Sequence, residues 1–172
     1  MPHMHRYVLP VALLVAGPLY AQQSPTDNVR LSATAAATTD APVIDGNLDD
    51  AAWAAADVLD DFVQREPMEG DPVTERTEVR LLYDDDNLYV GVYCFDSEGE
   101  KGIVVNDVTR DYESFENDHF ALVLDTFDDD RNGFLFGTNP KGAKRDAQTT
   151  GDGTSINFDW DGIWHVKAKT TE

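Results

Sequence analysis

The strongest constraint in this chain is a pair of two-residue alternations on either side of an acidic turn. From Thr77 to Tyr83, Val79, Leu81 and Tyr83 fall on one face, and Glu78 and Arg80 on the other. Asp84-Asp85-Asp86-Asn87 follows, and Leu88 to Phe95 then alternates again, with Leu88, Val90, Val92 and Cys94 opposite Tyr89, Tyr93 and Phe95. A helix cannot segregate residues at period two, but an extended strand does so automatically. Asp and Asn between two such runs supply turn chemistry, so Thr77–Phe95 is read as a β-hairpin.

The pattern recurs. His119 to Thr126 is a second strand, Asp128 to Asn132 turns the chain, and Gly133 to Asn139 returns before Pro140-Lys141-Gly142 breaks it. Lys144 to Thr149 continues the pairing, and Trp164 to Lys169 is a last strand with Trp164, Val166 and Ala168 on one face. Weaker strands are expected at Val29 to Ala37, Val58 to Gln64 and Gly102 to Val105. A short helix is expected over Asp50 to Ala56, capped by Asn47 or Asp49 and carrying Trp53 into the core. Glu66–Val73 and Gly151–Asp161 read as loops. Short strands separated by turn residues define an all-β chain, and the arrangement expected is an antiparallel β-sandwich. The strand count is one or two short of a full sandwich, so the sequence reads as truncated at its C-terminus.

Charge narrows the function. Among 172 residues there are 33 acids and 13 bases, a formal charge of −20. Of the acids, 24 are Asp and 9 are Glu, so the acidity belongs to turns more than to helices. A surface of this sign is a poor partner for nucleic acid, whose phosphates need clustered Lys and Arg. Divalent cations and neutral ligands such as sugars remain. Asp128-x-Asp130-x-Asn132-Gly133 has the alternate oxygen ligands and the glycine of the first half of a calcium loop, although Asn139 stands at the twelfth position where a bidentate Glu belongs. Asp128, Asp130 and Asn132 are therefore candidate ligands for a structural calcium ion, and an Asp-rich hairpin turn explains the same residues without one. No His-Glu-x-x-His, Cys-x-x-Cys, Ser-His-Asp or phosphate-cradling pattern is present, and no catalytic residue is assigned.

The N-terminus reads as an export signal, residues 1–21: His3, His5 and Arg6, then an apolar run from Tyr7 to Gly17, then Leu19-Tyr20-Ala21. Residues 22–41 are a linker leading into a first strand, and 42–172 form the folded module. The expected location is periplasmic, outer-membrane-associated or extracellular. The single cysteine, Cys94, cannot form an internal disulfide and reads as a small core residue.

Three segments in order carry a family resemblance: Pro42-Val43-Ile44-Asp45-Gly46-Asn47-Leu48-Asp49 with Trp53, then Val79 to Phe95, then Asn117-Asp118 leading into Phe120 to Asp125. Together they resemble the family 9 carbohydrate-binding module. The version most similar is the one at the N-terminus of exported bacterial proteins with a large β-rich, outer-membrane remainder. Leu124-Asp125-Thr126-Phe127, Asn139-Pro140-Lys141-Gly142 and Trp160-Asp161-Gly162-Ile163-Trp164 are similar to that group. The resemblance implies an immunoglobulin-like or jelly-roll sandwich, structural calcium in some members, and a link to polysaccharide binding and breakdown. It also implies a terminal sugar held between two aromatic rings. Tyr83 stands where one of these is tryptophan, and the other belongs to a segment after residue 172.

Sugar recognition needs flat aromatic faces and bidentate polar groups. The candidates are Tyr83 and Trp160 for stacking, and Arg80, Arg110, Asn117 and Asp118 for hydroxyls. Each also has a plain reading: Tyr83 shares a face with Val79 and Leu81 and fits the core, Trp160 fits a core cap, and the polar groups fit solvated loops. Two other roles are kept open, a structural cap on an outer-membrane β-barrel without sugar binding, and an accessory module for a glycoside hydrolase domain outside this chain.

Overall fold

The computed structural model describes residues 32–171. The expected export signal and the start of the linker lie outside the described residues. Among the described residues seven strands form two sheets and the only helices are short 3₁₀ turns, so the fold is all-β.

The first sheet holds β1 (Ala36–Ala37), β2 (Thr77–Tyr83) and β3 (Leu88–Cys94), in that order. β2 and β3 pair antiparallel from Thr77↔Cys94 to Tyr83↔Leu88, the expected hairpin, and β1 adds in parallel through Ala36↔Leu82. The Asp84 side chain closes the turn. Its Oδ1 accepts the N–H groups of Asp86 and Asn87 at 2.9 and 2.7 Å, and its Oδ2 accepts the Tyr89 hydroxyl at 2.6 Å.

The core of this sheet is not on the face that carries most of its apolar residues. Trp53, Ala56 and Leu82 form the buried cluster, with Leu48 and Tyr89 packed against it. Leu82 shares its face with Glu78 and Arg80, so the covered side is the one that sequence alternation marked as polar. Gly91 explains the choice. A Cβ there would lie 2.9 Å from both Leu48 and the Trp53 ring, so only glycine lets the indole lie on the strand. On the opposite face, Val79 is buried beside its bridge to Leu59, whereas Tyr83, Leu88 and Cys94 are exposed. Cys94 is thus not the buried hydrophobe expected of it. Its position at the end of β3, on the less covered face, leaves it in solvent.

Trp53 is carried by a 3₁₀ turn, Ala51–Ala55, in place of the expected helix. Asp50 makes no side-chain cap; its carboxylate accepts the Val43 N–H at 3.3 Å instead. The segment Val58–Gln64 contributes only the isolated bridges Leu59↔Val79 and Val63↔Pro72, not a strand.

The second sheet runs in sequence order: β4 (Phe120–Leu124), β5 (Gly133–Thr138), β6 (Lys144–Thr150) and β7 (Ser155–Asn157), all antiparallel. β7 falls inside the stretch read as a loop; its Ser, Ile and Asn are too few to show alternation. Opposed residues Leu122, Phe136 and Asp146 share one face, as do Leu124, Phe134 and Gln148. The Trp160 ring lies on this face 4.7 Å from Phe134 and 5.9 Å from Phe136, and Trp164 meets Phe136 edge-on at 5.5 Å.

Two further expected strands are not strands among the described residues. Gly102–Val105 joins no ladder; Val104 is instead pinned by Asp118, which donates its backbone N–H to Val104 O and accepts the Val104 N–H on its carboxylate. Trp164 to Lys169 keeps strand-like alternation, with Trp164 and Val166 half-buried between exposed neighbours, yet joins no ladder among the described residues. It bridges the sheets through side chains. Lys144 donates to Trp164 O, Lys169 donates to Asn47 Oδ1 at 2.9 Å, and the Thr171 and Tyr93 hydroxyls are 2.9 Å apart.

Removing the buried indole leaves a large cavity under β2 and β3, so Trp53→Ala is expected to cost about 3–5 kcal/mol in denaturant unfolding. Gly91→Ala is expected to cost about 1–3 kcal/mol through overpacking against the same ring. A neutral Gly91→Ala would show that the indole does not rest on the strand.

Candidate functional site

The second sheet buries a carboxylate. Asp146 in β6 is fully buried, on the face that carries Phe136. An isolated buried carboxylate is costly, so its oxygens need donors. Arg110 Nη2 donates to Oδ1 at 2.6 Å, and the Gly162 N–H donates to Oδ2 at 2.5 Å. Arg110 Nη2 also lies 2.6 Å from Asp161 Oδ1, and its Nε is 3.6 Å from Asp111 Oδ2. The Arg110 side chain is 39% exposed, so it joins a buried acid to an exposed one at the surface.

The approach of Gly162 is sterically tight. A Cβ there would lie 2.8 Å from the Trp160 ring and 3.2 Å from Asp146 Oδ2. The sequence Trp160-Asp161-Gly162 therefore acts as a unit: the ring packs on Phe134, the acid meets Arg110, and glycine lets its amide reach Asp146.

Arg110 is positioned by a stitched loop. Asn117, 7% exposed, accepts the N–H groups of Asn106 and Asp107 on Oδ1 and donates Nδ2 to Glu113 O. Asn139, 1% exposed, donates Nδ2 to Asp107 O and accepts the N–H groups of Lys141 and Ala143 on Oδ1, which closes the β5–β6 turn. Asp111 adopts φ 59° and donates its N–H to Lys144 O at 2.8 Å.

The sequence candidates thus separate into groups. Arg110 and Trp160 come together around Asp146 and Asp161. Asn117 sits one loop away, and its carboxamide is consumed by backbone groups. Asp118 holds Val104, leaving one carboxylate oxygen without a partner among the described residues. Tyr83 is 47% exposed at the end of β2, and Arg80 pairs with Glu78 at 3.5 Å in the same strand. Both belong to the first sheet, and no hydrogen bond or ion pair joins either to Arg110. An open recess is lined by Val104, Asn106, Phe115, Glu116, Asn117 and Asp118, with Phe115 96% exposed at its edge.

Sequence reading missed Asp146, Asp161, Asn139 and Phe115. Asp146 had a usable signal, since it is an acid inside a strand segment that continues into Ala147 and is therefore buried or paired. Phe115, in a stretch of polar residues, had none.

Asp128, Asp130 and Asn132 lie in the β4–β5 turn. Their neighbours close it: Asp125 Oδ2 accepts the N–H groups of Asp129 and Asp130, and Asp129 accepts from Arg131 N, Asn132 N and Asn132 Nδ2. Asp128 and Asp130 adopt φ 53° and 55°, and their carboxylates have no hydrogen-bond partner among the described residues. The Asn132 side-chain oxygen is likewise unbonded there.

No protein-family model, curated protein or solved structure matches the chain.

The turn carboxylates tie stability to pH. The Tyr89 hydroxyl bond, then backbone donors, hold Asp84 below the ordinary carboxylate range, and the Asn132 amide does the same for Asp129. The Asp84 bond pushes the Tyr89 phenol up. A lowered folded-state pKa adds stability above the unfolded value, about 3.9 for Asp, and that stability is lost as pH falls through the folded value. A raised phenol pKa adds stability that is complete below about 10 and lost as pH rises through the folded value. Denaturation midpoints for Tyr89→Phe are therefore expected to fall less steeply than wild type at both the acid and alkaline ends. Parallel curves would contradict the assignment.

Proposed function

We propose that this chain is a non-catalytic carbohydrate-binding module, of the kind that family 9 resemblance implies, whose two sheets stack as a β-sandwich in an exported protein. The observation that supports it best is the surface corner of Arg110 and Asp161 beside Trp160. Sugar hydroxyls accept hydrogen bonds from a planar guanidinium and donate them to a carboxylate, and C–H faces of sugars rest on indole rings. A buried acid holds the arginine in place, so binding need not order it.

Isothermal titration with xylo- and cello-oligosaccharides tests this. The expected result is saturable binding, weakened about tenfold or more by Arg110→Lys, which keeps the charge and loses the fork. An absence of heat with every neutral oligosaccharide would contradict it. Calcium, in this reading, is a structural ion on Asp128, Asp130 and Asn132, whose free oxygens would hold it. Added calcium is then expected to raise the melting temperature of the wild type but not of Asp128→Asn/Asp130→Asn. Equal melts with calcium and with chelator would leave the turn to its own hydrogen bonds.

The less covered apolar face of β2 and β3 favours a second role, in which the same module caps an outer-membrane β-barrel region of a longer protein. A neighbouring domain would then bury Tyr83 and Leu88.

A further inference from the structure

We propose that the recess between Ile44, Lys144 and residues 165–167 is a second binding site, one that takes the carboxylate of an acidic sugar residue. The inference rests on the saccharide-binding reading above and names a ligand class for it.

The first observation is where the positive charge lies. The chain has five lysines, and Lys141, Lys144, Lys167 and Lys169 fall within its last 32 residues. All the side-chain ion pairs among the described residues are made by arginines, namely Arg76, Arg80, Arg110, Arg131 and Arg145. In a chain with 33 acids and 13 bases, every lysine there lacks a carboxylate within ion-pair distance. The lysines are also not scattered. A recess of about 390 Å³ is lined by Ile44, Lys144, His165, Val166 and Lys167, with no acid in its wall among the described residues.

The second observation is that one ammonium group is held ready. Lys144 in β6 donates to Trp164 O, and its Nζ lies 5.3 Å from the centroid of the Trp164 ring. An ammonium has three donors, so two remain for a ligand. The nearest acid by sequence, Asp45, closes its own loop, accepting the Asn47 N–H at 2.8 Å and the Asn47 amide at 2.9 Å, and the charge it feels is that of Lys169 rather than Lys144 or Lys167. Lys169 is drawn to Asn47 Oδ1 and stands beside the recess rather than in it.

The third observation selects the ligand. Ile44 and Val166 give the recess an apolar wall, which suits a carboxylate on a carbon ring better than a bare inorganic anion. The recess also adjoins the aromatic row. Lys144 sits over Trp164, Trp164 meets Phe136, and Phe136 meets Trp160 beside the Arg110 corner. In a molecule of charge −20 the long-range field repels anions, so recognition here depends on short-range contact with Lys144 and Lys167.

Titrations of the whole chain with xylotriose, glucuronate-substituted xylotriose and inorganic phosphate test the proposal. The acidic saccharide is expected to bind about tenfold tighter than the neutral one. Lys167→Gln is expected to remove that advantage and leave xylotriose binding unchanged; Lys167 makes no hydrogen bond or ion pair among the described residues, so the variant should fold. Molar salt, which shortens screening to about 3 Å, is expected to shrink the advantage as well. Equal affinities for the two saccharides would overturn the site while leaving the saccharide reading standing. So would phosphate competing as well as the acidic sugar, which would mark a non-specific cationic patch. If xylotriose fails to bind but the acidic sugar binds in a Lys167-dependent way, the recess stands and the neutral corner falls.

Discussion

The charge on Asp146 organises the second half of this molecule. A carboxylate with no solvent exposure must draw donors from outside its own sheet. It takes one from Arg110 and one from the Gly162 amide, and in doing so fixes two long irregular segments onto β6. The connection between the sheets is held at Arg110, and the segment after β7 is held at Gly162. Trp160, two residues before that glycine, lies on Phe134 and Phe136. The same contacts leave Arg110 and Asp161 paired at the surface, at the corner proposed to bind saccharide.

The first half of the fold depends on a steric constraint instead. Gly91 is the position at which β3 lets the Trp53 ring approach. That single absence of a side chain decides which face of the hairpin becomes core, against the apparent amphipathicity of β2. The two halves then meet through polar links from the segment after Trp164, with lysines reaching from one element to another.

These two constraints explain what could be read from sequence. The hairpin and the strands β4, β5 and β6 were legible because side chains on strands alternate, and turns rich in Asp, Asn and Gly mark their ends. Val58–Gln64, Gly102–Val105 and Trp164–Lys169 have strand-like composition, but pairing is a property of neighbours and leaves no local trace. The covered face was misread because Leu82 and Gly91 matter more than the count of apolar residues. Arg110 and Trp160 were singled out by side-chain type, whereas Asp146, which the structure places between them, looked like one more acid among 24 aspartates. Asn117 looked like a hydroxyl-binding group because its type permits it; its three backbone bonds show that its amide serves the loop.

The central claim is that Arg110 and Asp146 act as one unit across 36 positions of sequence. A double-mutant cycle with Arg110→Ala, Asp146→Ala and both together, read by denaturant unfolding, tests it directly. Arg110→Ala leaves the buried Asp146 carboxylate without its charged partner and is expected to cost about 3 kcal/mol; Asp146→Ala leaves Arg110 still paired with Asp161 and is expected to cost less, and the double variant is expected to be no worse than Arg110→Ala alone. Costs that add to within about 0.5 kcal/mol would show two independent residues and contradict the account.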